Sequence, residues 1–490
     1  TVMMMLHVLM LPAMLAAMLR RRGEYGSAHH MRGQRVVRVL GRGLAVVLAL
    51  TILPAPVFLA GSMAHEESTY SMPQATADTA AAMAAAAPPV HDPAKPTVAV
   101  VVGNQGANVA DALATYEVLA VTGAFNLYTV APERRPVPLL GGLDLIPDLG
   151  FAQLDRRLRG AAPDVTVVPA MPDSDKADHA KVTGWLRDTA SRGTILSVCA
   201  GARVLAAAGL LDGREVTSHW ARLDGLRADY PGVTWQGGVR YLDTGNLIST
   251  GGLLSGIDGA LRVVERFRGT DAARAAAEAV GWKYYSPGKS AKLAPQKLTA
   301  GDKLLYTLNK GYRWDAPTVG VVLTNGVGET ELAAAFDPYA EHSLSVHTRA
   351  IGTPGVGVRS RHGLTFLPRT SLADASDSVD RLLVPGTAAA ADPDPGLAAA
   401  ARRADLPVTY LNRQPGFAFT PALQDMATTL DVPTARWAAK ILEHPADDLA
   451  LTGPGWPWTL LLRPILLGLA GLAIALGAMR LLRQVRRRRA

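Results

Sequence analysis

Apolar residues in the middle of this chain fall into short unbroken runs, and the segments between them carry helical spacing. "TVAVVV" (97–102), "NLYTVA" (126–131), "DVTVVPA" (164–170) and "TILSV" (194–198) are too short for helices and have the composition of strands buried on both faces. Amphipathic patterns near 109–122 and 178–192 lie between them. This alternation predicts a parallel sheet with helices on both sides. The pattern also repeats. "TVAVVV" at 97 recurs as "TVGVVL" at 318, and "GLDLIP" (142–147) as "GLTFLP" (363–368), both at an offset of 221. "TVVPA" (166–170) recurs, slightly shifted, as "LLVPG" (382–386). The expectation is two copies of one three-layer α/β/α domain with parallel sheets, at 97–270 and 317–445. A connector over 271–316, containing "KYYSPGKSAKLAPQK", joins them.

Longer apolar stretches lie outside this region. "LAVVLALTILPAPVFLAG" (44–61) and "PILLGLAGLAIALGAM" (464–479) predict transmembrane helices over 43–62 and 456–479. At 16–18 residues the two runs span about 24–27 Å, slightly short of a hydrocarbon core, and Trp456, Trp458 and Arg463 can complete the second at the interface. Residues 1–19 form a third apolar stretch, read as the last span of a longer bundle upstream of Thr1. The net charge of +8 does not describe a nucleic-acid-binding face, because it is concentrated at the spans. Seven arginines against Glu24 occupy the basic loop 20–42, and six more follow Met479 in the tail 480–490, leaving the rest mildly acidic. Placing both clusters in the cytoplasm puts the α/β region on the extracytoplasmic side of a cell membrane. A secretory signal over 31–64, ending at Ser62-Met63-Ala64, gives the same export. Residues 64–96 are Ala/Pro-rich without apolar periodicity and read as a tether.

The chain has one cysteine, so it has no internal disulfide and no Cys-based zinc site. Cys199 stands where "TILSV" meets "AGARVLAAAGLL", a strand-to-helix corner over the carboxyl edge of the sheet, where open α/β folds bind ligands. A helix beginning at Ala200 would aim its free N–H groups at the sulfur and lower the thiol pKa. Ala200, Gly201 and Ala202 would keep the corner open. This is the logic of a nucleophile elbow with cysteine in place of serine; a buried structural cysteine is the competing reading.

The segment "SVCAGARVLAAAGLLDGREVTSHW" resembles the ThiJ/PfpI family of the class I glutamine amidotransferase-like superfamily. It is most like the amidase-like domain at the N-terminus of AraC-type regulators. "DALATYEVL" (111–119), "GLDLIPD" (142–148), "VVPAMPD" (167–173) and "STGGLLSGIDGALRVVERF" (249–267) support the resemblance, which covers about 97–270. It implies tandem flavodoxin-like, glutamine amidotransferase-like folds and a reactive Cys199. It further implies an acidic contact to the thiol from Glu117 in "YEVL", and a histidine near the thiol, His219 in "TSHW", as general base or acid.

Three departures bear on the chemistry. Many members carry Gly-Gly after the "VP" strand, whereas this chain has Ala170-Met171, which puts oxyanion stabilisation by that loop in doubt. Ala200 replaces the histidine that follows the cysteine in peptidase-like members, so peptidase activity is not expected. No helix-turn-helix pattern follows either domain. The second copy has no thiol: its elbow strand "LPVTYLN" (406–412) leads to Asn412, Arg413 and Pro415, and Pro338 stands at the offset of Glu117. It reads as a degenerate, pseudoenzyme partner. "HEE" (65–67) and "VVGNQGAN" (101–108) lack metal and dinucleotide patterns, so no metal and no cofactor are expected. The expected partners are a small-molecule substrate or ligand, membrane lipid and the other domain of the chain, with a homo-oligomer also open. Two functions remain: a cysteine-dependent hydrolase, hydratase or lyase acting on a small carbonyl, amide or nitrile-like substrate, and a non-enzymatic small-molecule or redox sensor signalling through the membrane.

Overall fold

In the computed structural model, which describes residues 43, 45–73, 77–172, 175–189, 192–290, 292–445 and 449–489, the β-branched runs form the expected strands. β1 (Thr97–Val101), β2 (Asn126–Ala131), β6 (Val165–Val168) and β7 (Thr194–Ser197) are buried along their whole length. With β5 (Leu149–Gly150), β10 (Tyr241–Asp243) and β11 (Leu247–Thr250) they make a seven-stranded sheet, ordered β10-β11-β7-β6-β1-β2-β5. All its pairings are parallel except β10 with β11. β8 (Glu215–Thr217) and β9 (Thr234–Gln236) form a small parallel pair after the Cys199 helix.

A second parallel sheet is built from β12 (Thr318–Val322), β13 (His347–Ile351), β16 (Arg381–Val384) and β17 (Val408–Tyr410), ordered β13-β12-β16-β17. That order repeats β2-β1-β6-β7, and β12 and β13 begin 221 residues after β1 and β2. The two sheets are joined by a third, in which the hairpin β3 (Val137–Leu139)–β4 (Leu143–Ile146) meets the hairpin β14 (Val358–Arg359)–β15 (Thr365–Leu367). β4 and β15, which carry the repeated "GLDLIP" and "GLTFLP", pair antiparallel: Leu145 faces Phe366, Ile146 faces Thr365, and Asp144 faces Leu367. Antiparallel pairing of equivalent strands is what a two-fold relation between copies requires. The equivalent helices α1 (Val109–Ala120) and α4 (Glu329–Phe336) pack together as well. Fully buried Asp337 accepts from Asn108 Nδ2 (3.0 Å) and the Ala110 amide (3.2 Å), tying the start of α1 to the second region.

One expectation requires correction. Residues 64–96 are not a free tether. A helix, Ala77–Ala85, places Ala82 and Ala86 against Ile146 and Leu367 at the junction of β4 and β15. Arg134 holds it by donating to the carbonyls of Met83 and Ala86. Alanine's high helix propensity and small side chain let this face lie close on the junction, with Met83 packed beside it. The connector is also partly helical, over Thr270–Ala279 and Ala300–Tyr312. Thr299 caps the second of these, and its Asp302 pairs with Lys440 at 2.7 Å.

The described chain divides into two compact units, one from Ser62 to Pro457 and the other comprising the segments up to Gly61 and from Trp458. Ala45–Glu67 and Trp458–Arg488 are long and apolar enough to cross a membrane. The expected span 1–19 and basic loop 20–42 lie outside the described residues.

If the β4–β15 pairing organises the region between Ser62 and Pro457, truncating fully buried Phe366 to alanine should cost about 3–5 kcal/mol, as for other buried aromatics. In denaturant unfolding, Leu145→Ala should be less than additive with it, because the two side chains share one contact. A loss below about 1 kcal/mol for Phe366→Ala, with full additivity, would contradict the pairing's role.

Candidate functional site

β7 delivers Val198 and Cys199 to the carboxyl edge of the first sheet, between β6 and β11. Cys199 has φ +54°, a left-handed conformation that a non-glycine residue holds only when its surroundings fix it. Here both of its peptide groups are held: its amide donates to Thr250 Oγ1 (3.4 Å), and its carbonyl accepts from Ser218 Oγ (2.8 Å). The chain then turns through Ala200 into α2 (Gly201–Ala207). A Cβ on Gly201 would lie 2.0 Å from the Val168 carbonyl oxygen, so the turn can pass over β6 only with glycine at that position. The elbow read from the sequence is present in the backbone.

The thiol's electrostatics differ from the expectation of a lowered pKa. Cys199 is buried, and burial pushes its thiol well above the ordinary range. The Asp111 carboxylate adds to this, the Ala200 N–H opposes it, and Glu443 adds further. One amide at the start of a two-turn helix is too small a favourable term to offset desolvation of the anion. Nor is the corner open, despite the small residues around it.

The acidic partner is Asp111, not Glu117. Residues advance about 100° each along a helix, so positions six apart on α1 point roughly 120° apart. Asp111 is fully buried in the first turn, accepts from the Ala170 amide (2.9 Å) and acts on the thiol. Glu117 points instead into the contact with the second region. There it accepts from the Thr330 amide (2.7 Å) and pairs with Arg361 (3.2 Å). Burial, then the neighbouring Glu329, raises its pKa. Glu117, Glu329 and His362 bring potential ligand atoms within 4.8 Å of one another. Protein donors already reach these carboxylates: Glu329 accepts from Ser360 Oγ (2.5 Å) and the His362 amide (3.0 Å), and pairs with His362 Nδ1 (2.7 Å).

His219 is engaged at both ring nitrogens. Nε2 donates to the Ile441 carbonyl (2.9 Å), and Nδ1 accepts from the Ala221 amide (3.2 Å). Burial pushes its pKa down to about 3, so the ring is neutral and tied to the second region. In this arrangement it has no free nitrogen with which to serve the thiol. The Ala170 amide, a possible oxyanion donor by position, is taken by Asp111. Met171 is buried, and its carbonyl accepts from Arg203 (3.0 Å).

The second region also reaches the Cys199 site, through Ile441, Leu442 and Glu443 at the end of α5 (Val432–Leu442). Asp111 stood within a quoted motif and could have been recognised by its place in the first helical turn. For Glu443, no local signal exists.

Residues 96–266 match the DJ-1/PfpI family. Isonitrile hydratase of Pseudomonas putida is 32% identical over 166 residues, 34% of this chain and 69% of that protein. The HTH-type transcriptional regulator GlxA of Rhizobium meliloti is 27% identical over 198 residues, 40% of this chain and 58% of the regulator. Among solved structures, a ThiJ/PfpI family protein from Pseudomonas syringae is 26% identical, with a TM-score of 0.35, over 41% of this chain and 84% of that one. Through its first α/β domain, whose strand-to-helix elbow carries Cys199, this chain belongs to the DJ-1/PfpI family.

Proposed function

We propose that the first domain is a cysteine-dependent hydratase, hydrolase or lyase for a small carbonyl, amide or nitrile-like substrate, anchored to the membrane and exported. The observation that carries this reading is Cys199 at φ +54° beside a buried carboxyl, Asp111. A strained elbow is costly to maintain for packing alone, at on the order of 1–3 kcal/mol. Its similarity to isonitrile hydratase favours an electrophilic carbon bound to nitrogen. In the step proposed, Sγ bonds to that carbon as a π bond breaks, and the thiol proton passes to the nitrogen of a nitrile, the oxygen of a carbonyl, the terminal carbon of an isonitrile or, for an amide, to the amine that leaves as the C–N bond breaks. Water then adds at the same carbon and the C–S bond breaks, returning the proton to sulfur. Two adjacent anions oppose each other, so the Asp111 carboxylate favours the protonated thiol at rest.

The second region we read as a degenerate copy of the same domain. Asn412 follows its elbow strand and accepts from the Gly386 amide (3.0 Å), a structural contact in place of a nucleophile. The alternative, a small-molecule or redox sensor, draws on the burial of Cys199: a closed, protonated thiol suits a site that reacts only after the domain opens.

Incubating the full chain in detergent with a panel of small isonitriles, nitriles and amides should give turnover that Cys199→Ser abolishes and Asp111→Asn reduces at least tenfold. Glu117→Gln should leave Cys199 alkylation within twofold of wild type. Turnover that survives Cys199→Ser would end the nucleophile reading.

For topology, cysteines placed at Ala80 and Arg486 in a Cys199→Ser background should label differently with an impermeant reagent on intact cells, position 80 reacting and 486 protected. Equal protection would place the α/β region in the cytoplasm.

His219 makes stability pH-dependent. Its folded pKa of about 3 lies below the ordinary value of 6.5, so the unfolded chain takes up the proton first on acidification. This contribution is complete above pH 6.5 and is lost as pH falls towards 3; at pH 5 the loss is about 2 kcal/mol. The stability gap between wild type and His219→Gln should therefore shrink between pH 7 and pH 5. A constant gap would mean that His219 is not held neutral.

A further inference from the structure

Three successive residues of the second region dock on the edge of the first sheet around Cys199. The Ile441 carbonyl accepts from His219 Nε2 (2.9 Å), the Leu442 carbonyl accepts from the Leu254 amide (3.1 Å), and the Glu443 side chain enters the turn after β11. That turn is Gly251-Gly252, immediately beyond Thr250, whose hydroxyl accepts from the Cys199 amide. A Cβ on Gly251 would lie 2.8 Å from Glu443 Oε2, and one on Gly252 would lie 2.6 Å from its carboxyl carbon. Both glycines are therefore needed for the carboxyl to fit. Ser255 Oγ donates to Oε2 (2.5 Å). Glu443 itself has φ +55°, at a helix C-terminus where glycine or asparagine is usual, and is buried. A strained, buried glutamate pressed into a glycine turn beside the only thiol is an arrangement that helix termination does not require.

We infer that Glu443 is a positioning residue of the Cys199 site, supplied by the second region, and that its charge adds to the groups that hold the thiol protonated. The inference rests on the reading of Cys199 as the reactive group. Around the thiol stand Asp111 from α1, Arg222 and Glu443. Around Glu443 stand Ser255 and Asp258 from α3 (Ser255–Arg268), and Arg240, whose guanidinium also packs over Trp282 (5.1 Å). His219, engaged at both nitrogens, is neutral. Burial lifts the Glu443 carboxyl to about 7, so it changes charge in the neutral range. Ionised, it opposes the thiolate; protonated, it removes that opposition. The second region thereby acts on the chemistry of the first rather than only bracing it.

Because the chain has one cysteine, alkylation of the full chain in detergent reads Cys199 alone. The rate is measured from pH 6 to pH 10 with a small haloacetamide. Glu443→Gln, nearly isosteric and uncharged, should lower the apparent thiol pKa by about one unit and speed alkylation roughly five- to tenfold at pH 8. Ser255→Ala removes the hydroxyl donor to the carboxylate, keeps Glu443 protonated to higher pH and should shift the profile the same way by a smaller amount. It serves as the test if Glu443→Gln does not fold. A purely steric plug predicts faster alkylation by the same factor at every pH, with the midpoint unmoved; that result, or superimposable profiles, overturns the inference. A shifted midpoint with no turnover on any substrate supports the inference and removes only the enzymatic reading. A thiol that stays unreactive in every variant up to pH 10 overturns both.

Discussion

The antiparallel pairing of Leu143–Ile146 with Thr365–Leu367 is the contact on which the rest of this molecule depends. Each strand belongs to a hairpin that extends from its own α/β region, and neither hairpin alone would bury its apolar face. Joined, they make a four-stranded sheet and set the two parallel sheets in a fixed relation. With α1 against α4, that relation brings Asp337 onto the start of α1 and the end of α5 onto the edge of the first sheet. The first domain's site is therefore completed by residues more than two hundred positions away in sequence.

The Cys199 corner balances opposing terms. Hydrogen bonds from Ser218 and to Thr250, and the absence of a side chain at Gly201, hold a strained backbone in place. The same close packing removes solvent from the sulfur, and desolvation then outweighs the N–H of Ala200. Asp111 occupies a matching position of tension: it orders the Ala170 loop by accepting its amide, and it also places a second acid beside the thiol. A site built this way is geometrically ready but electrostatically restrained, which is compatible with a nucleophile activated on substrate binding and with a sensor that must open first.

The second region repeats the strand order of the first, and after its last strand Asn412 accepts from the Gly386 amide. Its helix α4 packs on α1 and its strand β15 pairs with β4, the arrangement a two-fold relation between the regions gives. Two contacts between the regions have no counterpart at the 221-residue offset: Glu117 with Thr330 and Arg361, and Glu443 in the glycine turn.

By itself, the sequence determined the central strands β1, β2, β6 and β7 of the first sheet, the repeated run that opens a second parallel sheet and the strand-to-helix corner at Cys199. Each of these rests on short-range information: β-branched runs of four to six residues, a repeat at constant spacing, and small residues directly after a lone cysteine. It also identified the two apolar segments long enough to cross a membrane, since length and hydropathy are local properties. Tertiary structure decided what surrounds the thiol. Helical phase turned Glu117 away and Asp111 inward, a distinction that a motif match over "DALATYEVL" does not make. Burial, a property of the whole assembly, reversed the expected direction of the Cys199 pKa and tied His219 to Ile441. The Ala-rich stretch before β1 reads as a tether because it lacks apolar periodicity, yet it docks because the junction of β4 and β15 offers a surface that only the paired hairpins create.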